Sequence, residues 1–354
     1  MTKSELETVL ILQGGGSLGA YECGVYKTLK KIKIDFDVVV GTSIGAINAA
    51  IIAGSNNDDP AKHLEEFWLE LSETMTKSFP EPLRSIVSTF HATLWGNPHV
   101  ALPIYGIPNP WTLFMMQPFL YDNTPLKKTL TKFVDFKKIN RKTGTRLIVS
   151  SVDIQRGKSV IFDSHKMEVD VDHVIASAGY PFYGISWTEK DDRYLWDGSL
   201  LSNTPLREAI NASPQYDKIV YIVSLFPKKH MELPKNMSES IHRARDIMHI
   251  DKTEHNIRMS KVISRYLELL KELYQIVTNS DLTPQNKQHF EELRPEYEKL
   301  ASQRGAIIRD VIRIERQEES HFLLEDADFS LSKIKQLIDQ GESDSQKILD
   351  QKNL

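Results

Sequence analysis

Phe36-Asp37-Val38-Val39-Val40-Gly41-Thr42-Ser43-Ile44-Gly45-Ala46-Ile47-Asn48-Ala49-Ala50 changes from a β-branched run to a helix-forming run within a few residues. The valines predict a buried strand ending at Val40, and residues 46–53 predict a helix. Only Gly41-Thr42-Ser43-Ile44-Gly45 lies between them, so the chain must turn sharply. Gly41 and Gly45 suit such an elbow, because a Cβ there would meet the neighbouring chain and the backbone is strained. Ser43 is left at the tip, hydroxyl outward, at the positive end of the following helix, which favours developing negative charge. Strand, elbow and helix together read as a nucleophilic serine. The competing reading is a small-residue turn in a doubly wound sheet, with Ser43 as an N-cap.

Upstream, residues 8–12 (Thr-Val-Leu-Ile-Leu) predict a buried parallel strand, and residues 20–31 a helix with Val25, Leu29 and Ile32 on one face. Between them runs Gln13-Gly14-Gly15-Gly16-Ser17-Leu18-Gly19. Its Gly14-x-Gly16-x-x-Gly19 spacing matches the dinucleotide fingerprint, which needs an acid at the end of the second strand to hold a ribose. Here Asp35 and Asp37 precede or begin that strand, and its end carries the serine elbow instead. Gly14, Gly15 and Gly16 are better read as a nest of backbone N–H groups at a helix N-terminus, suited to stabilising an acyl-transfer oxyanion. Both loops leave the C-terminal ends of strands expected to be adjacent, so they meet over one crevice.

The chain has 354 residues and a formal net charge of −4, enough to bury a large core and against a dedicated nucleic-acid binder. Its single cysteine, Cys23, excludes an intrachain disulfide framework and a Cys-rich zinc site. Neither a cofactor nor a cluster with zinc or calcium spacing is expected. Residues 1–13 do not read as a secretory signal, and no apolar stretch reaches about 18 residues, so a cytoplasmic protein is expected, with signal-independent export left open.

Residues 58–75 predict a helix with Leu64, Phe67, Trp68 and Leu71 on its core face. Residues 90–122 form a Pro- and aromatic-rich insertion, with Trp95, Trp111, Phe114, Met115, Met116 and Phe119, that reads as a loop folded on the core or as a cap and acyl-chain wall. Within it residues 112–116 could form a short helix. A helix opens at Asn123-Thr124-Pro125, strands follow at 146–154 and 159–162, and a small-residue helix at 171–178. Another helix at 206–210 and a buried strand at 218–225 complete this part.

A serine nucleophile needs a proton acceptor. Among the histidines His230 and His242 are candidates, though neither sits in a strand-end loop with a Gly to aim it. Asp197, before Gly198 at a turn, is the best placed carboxylate, acting directly.

Gln13-Gly14-Gly15-Gly16-Ser17-Leu18-Gly19, Gly41-Thr42-Ser43-Ile44-Gly45, Ala176-Ser177-Ala178-Gly179-Tyr180-Pro181 and Asp197-Gly198-Ser199 occur in that order. Over residues 9–225 the chain resembles the patatin-like phospholipases, lipid acyl hydrolases with a Ser–Asp dyad. The resemblance implies a three-layer α/β/α sandwich with a mainly parallel central sheet. It implies Ser43 as nucleophile, Asp197 as base and an oxyanion hole from the backbone of Gly14, Gly15 and Gly16. Two departures stand out. Leu18 replaces a basic residue found in many members, which removes a cationic contact and weakens the case for a phospholipid head group. Ser199 replaces the second glycine of Asp-Gly-Gly and adds a Cβ, tolerated where φ is negative.

The domains expected are a catalytic one over residues 1–230 and a charged, mostly helical region over 231–354 packed on it. In the second, residues 237–277 carry an amphipathic stripe of Met259, Val262, Ile263, Tyr266, Leu270, Leu273 and Val277. Residues 285–303 predict a helix kinked near Pro295, 306–314 an edge strand, 330–338 a helix, and 341–354 a frayed polar tail. The expected partners are a lipid or acyl-ester substrate and peripheral contact with a membrane. A phospholipase A or lysophospholipase leads, a thioesterase or transacylase using the same dyad comes second, and a non-catalytic scaffold third.

Overall fold

A computed structural model describes residues 6–72, 80–104, 117–214, 216–228, 233–250, 253–304, 308–317 and 325–352. Trp111, Phe114, Met115, Met116 and the short helix expected at 112–116 lie outside them, as does His230. The chain begins with β1 (Leu6–Leu12), α1 (Ala20–Lys31), β2 (Val38–Thr42), α2 (Ile44–Gly54), α3 (Pro60–Leu71) and α4 (Glu81–Trp95). A small hairpin of β3 (Leu102–Pro103) and β4 (Tyr121–Asp122) precedes α5 (Thr124–Phe133) and α6 (Phe136–Ile139). Then come β5 (Arg146–Asp153), β6 (Lys158–Asp163), α7 (Val171–Ile175), β7 (Thr188–Lys190), β8 (Arg193–Asp197), α8 (Leu206–Ala212) and β9 (Asp217–Ser224). The last third holds α9 (Met237–Ile250), α10 (Thr253–Thr278), α11 (Pro284–Arg304), β10 (Ile308–Glu315) and α12 (Leu331–Lys352).

The main sheet runs β10-β9-β1-β2-β5-β8-β7, with β6 also paired to β5. Strands β10, β9, β1, β2 and β5 are parallel; β6 and β8 run antiparallel to β5, and β7 to β8. The period-2 geometry of a strand sends Leu10, Leu12, Val39, Leu147 and Val149 to one face. Val9, Ile11, Val38, Val40, Ile148 and Val220 point to the other. Both faces are covered, which is why the central strands read as continuous apolar runs. On the first face α1, α2 and α3 pack, with Trp68 fully buried and its indole N–H on Asn48 Oδ1 at 3.1 Å. Leu206 and Ala209 of α8, with Ile257 of α10, cover the second face. The result is the expected α/β/α sandwich with a mainly parallel sheet, extended by C-terminal helices.

At the start of β5 Arg146 is buried and forks onto both oxygens of Asp163 (2.7 and 2.5 Å), so each ion neutralises the other. The strand expected at 306–314 forms at 308–315 and sits at the sheet edge, parallel to β9.

Two local expectations change. The helix expected over 171–178 ends at Ile175, because Ser177 turns its hydroxyl onto Ser150 O at 2.6 Å. The tail expected to fray beyond Gly341 continues α12 to Lys352, with Ser345 and Leu349 buried. Gly341 lets this helix lie directly on α1: a Cβ there would be 2.2 Å from Tyr21 O. The polar residues that suggested fraying are paired instead, Glu342 accepting from Lys27 (2.6 Å) and Lys31 (2.8 Å). On α10, Met259, Val262, Tyr266, Leu270 and Leu273 of the expected stripe are exposed. Tyr274 meets α11 instead, stacking on Tyr297 at 4.3 Å between ring centroids.

Candidate active site

Ser43 stands between β2 and α2 with φ +56° and ψ −127°, a conformation L-residues rarely adopt. The turn is held by close backbone approaches. A Cβ on Gly41 would lie 2.1 Å from Gly45 O, and one on Gly45 2.4 Å from Leu12 O. The Ser43 N–H donates to Ser177 Oγ at 2.8 Å, which locks the elbow to the loop after α7. Its side chain makes no capping bond to α2, so the N-cap alternative is not what the hydroxyl does.

Asp197 ends β8. Register explains why it meets Ser43: Thr42 pairs with Ser150 on β5, and Ser151 pairs with Asp197. One strand stands between the two residues, at one end of the sheet. Asp197 is fully buried. Its Oδ1 accepts from the Ser199 N–H (2.8 Å) and the Ser199 hydroxyl (2.5 Å). Oδ2 is buried with no partner at hydrogen-bonding geometry among the described residues. Burial pushes the carboxyl up to about 6, against the Ser199 and Ser43 hydroxyls, which favour the ionised form. The Ser43 hydroxyl is thus among the groups that influence the carboxyl, while Oδ2 has no hydrogen-bond partner among the described residues.

The glycine loop lies against the serine. A Cβ on Gly14 would be 2.9 Å from Ser43 Cβ; on Gly15, 2.7 Å from Leu225 Cδ1; and on Gly16, whose φ is +56°, 2.3 Å from Asp326 O. Gly14 donates its N–H to Asn203 O (3.3 Å) and accepts from Asn203 Nδ2 (3.2 Å). Of the three expected oxyanion donors, Gly14 is therefore engaged. Gly15 and Gly16 hold the N–H groups without a partner among the described residues, at the start of a short 3-10 helix over Gly16–Gly19. Gln13 anchors the loop from below, donating to Thr204 Oγ1 (2.9 Å) and His249 O (3.0 Å) and accepting from the Leu225 N–H (2.6 Å).

Ser43, Asp197 and the three glycines open into one cavity of about 630 Å³ whose walls include Ile47, Leu71, Val100 and Leu126. Leu18 is buried in the core and is not among the residues that line it. His242 is buried too, held by Asp246 (3.4 Å) and Arg245 (3.2 Å) away from the lining.

The histidine that does line the cavity is His249, at the end of α9. Burial and the nearby Arg245 guanidinium push its imidazole down to about 4, so it is neutral at pH 7. Asp326, from the segment after β10, also reaches the wall, accepting from Arg245 Nη1 at 2.8 Å and from the Tyr183 hydroxyl at 2.5 Å. Neither residue stands in a motif. Only the packing of the C-terminal third on the glycine loop brings them there, as in the bond from Ser17 Oγ to Glu325 O at 3.0 Å. Among the described residues no group of His, Cys, Asp and Glu is placed to hold a metal ion, and no helix is long and apolar enough to cross a membrane.

The patatin-like phospholipase profile matches residues 10–210, more than half the chain, and includes every residue of the elbow, the glycine loop and Asp197. The chain belongs to the patatin-like phospholipase family. Patatin-like protein 4 of Arabidopsis thaliana is 25% identical over 228 residues, covering 56% of this chain and 50% of the relative. Patatin-like phospholipase domain-containing protein 7 of Rattus norvegicus is 31% identical over 84 residues, 24% of this chain and 6% of the relative. The chain thus spans at most half the length of these curated relatives. Among solved structures, VipD from Legionella pneumophila aligns over 98% of this chain and 67% of its own, at 12% identity and a TM-score of 0.38.

Proposed function

We propose that the protein hydrolyses carboxylic esters of lipids through an acyl-enzyme on Ser43, with Asp197 as the general base. The observation that carries this reading is the buried Asp197 carboxylate, satisfied on Oδ1 by Ser199 and open on Oδ2 beside a strained serine. An aspartate at its ordinary pKa is a weak base at pH 7; one lifted to about 6 is better matched to the task and still ionised.

In this scheme Ser43 Oγ attacks the ester carbonyl carbon as its proton passes to Asp197 Oδ2. The oxyanion develops against the N–H groups of Gly15 and Gly16. Collapse breaks the bond to the leaving alcohol, which takes the proton from Asp197. Water then attacks the acyl-enzyme, gives its proton to Asp197, and the proton returns to Ser43 as the fatty acid leaves. A cavity of about 630 Å³ with an apolar lining suits an acyl chain.

The test is covalent labelling by a fluorophosphonate together with turnover of a chromogenic acyl ester. Both should vanish in Ser43→Ala while the circular dichroism spectrum stays unchanged. Turnover at the wild-type rate in that variant would falsify the assignment. Product analysis with glycerol or a lysolipid competing against water separates hydrolysis from acyl transfer.

A further inference from the structure

Helix α9 (Met237–Ile250) is amphipathic in the reverse of the usual sense. Towards the body it presents His242, Arg245, Asp246 and His249. Arg245 bonds to Asp326 Oδ1 (2.8 Å) and Asp246 Oδ1 (3.1 Å) and lies over the Phe226 ring, 5.6 Å from its centroid. Outward it presents Met237 (73% exposed), Ile241 (47%), Ile247 (59%) and Met248 (63%). Positions 237, 241 and 248 recur at four and seven, so they form one stripe. A helix packed on a soluble core ordinarily buries such a stripe and wets its charges.

The C-terminal end of the helix borders the cavity. His249, the neighbour of Met248, lines the wall and reaches the Tyr180 hydroxyl through Nε2 at 3.4 Å. The Tyr180 ring lies 5.5 Å from that of Phe182, which also lines the cavity and is 74% exposed. The α10 stripe is longer, but none of the described residues of α10 lines the cavity.

We propose that the outer face of α9, with Phe182, is a docking surface for a lipid surface, and that it sets the cavity mouth against that surface. The choice of occupant rests on the proposed lipid substrate: an acyl chain that leaves a lipid aggregate through an apolar rim never crosses water. The charge near the helix selects the kind of lipid. Arg243 is committed to the carbonyls of Pro227 (3.1 Å) and Lys228 (2.8 Å), and Lys228 pairs with Glu254. Docking is therefore by apolar contact with a neutral or zwitterionic surface, and insensitive to salt.

The experiment is co-sedimentation of the full chain with phosphatidylcholine vesicles, in the Ser43→Ala background so that the vesicles stay intact. The background protein should sediment with vesicles equally at low salt and at about 0.5 M. Adding Ile241→Ser and Met248→Ser should lower the bound fraction at least about tenfold, because several methylenes leave the interface. In the wild-type background the same pair should leave hydrolysis of a short soluble ester unchanged. The proposal is overturned if the background protein does not sediment, if the double variant binds equally, or if the substitutions change only self-association on size-exclusion chromatography. Vesicle binding without fluorophosphonate labelling would remove the catalytic reading and leave the docking surface standing.

Discussion

Ser199→Ala probes the proposed base without touching it. The Ser199 hydroxyl donates to Asp197 Oδ1 at 2.5 Å, and a hydrogen bond to a charged group contributes about 1.5–3 kcal/mol. At about 1.4 kcal/mol per pKa unit, losing that donor raises the Asp197 pKa by about 1–2 units. The sign follows from which form is stabilised: the donor favours the carboxylate, so its loss favours the acid. From about 6 in the native protein, the pKa moves to about 7–8. The base acts only when ionised, so the acidic limb of kcat/KM should shift upward by the same amount. At pH 7 the ionised fraction falls from about nine-tenths to between about one-half and one-tenth. Activity should recover at about pH 9, and Ser199→Thr, which keeps the hydroxyl, should behave like the wild type. The assay is kcat/KM for a soluble chromogenic ester across pH. An unmoved limb, or a drop of equal size at every pH, would refute the reasoning; the second outcome would mark Ser199 as merely structural.

Asp197→Asn should abolish turnover and stabilise the fold. Burial lifts the Asp197 pKa by about 2 units, so holding the charge inside costs about 3 kcal/mol. That cost sets in as pH rises above the unfolded value of about 3.9 and is complete above about 6. The gain in urea midpoint should therefore be full at pH 7 and vanish near pH 4. His249→Gln should keep the acidic limb of the wild type in place, since the imidazole is already neutral; a lost limb would make the histidine the base. Gly341→Val would drive a side chain into Tyr21 O and should destabilise the protein by about 1–3 kcal/mol, read by urea unfolding and by proteolysis within residues 331–352.

The elbow and the glycine loop were legible in the chain because their constraints are local. Gly41 and Gly45 face backbone within about 2.5 Å, and no other residue type fits. The central strands were legible for a similar reason: covered on both faces, they must be apolar throughout. Asp197 could be singled out as a carboxylate at a turn, but the burial that raises its pKa exists only in the assembled sheet, where Ser199 occupies Oδ1 and Oδ2 is left open.

The C-terminal third was opaque for the opposite reason. His249 and Asp326 reach the cavity wall, and the residues they bond there, Tyr180 and Tyr183, lie 69 and 143 positions away in the chain. No periodicity encodes such meetings. The polar end of α12 looked like a tail because composition records what a side chain is, not what it will be paired with. Close approach at Gly341 and the Lys27–Glu342–Lys31 pairing turn the same residues into a packed helix. Short-range sterics are written residue by residue along the chain, whereas the burial and pairing of polar groups exist only once distant segments have come together.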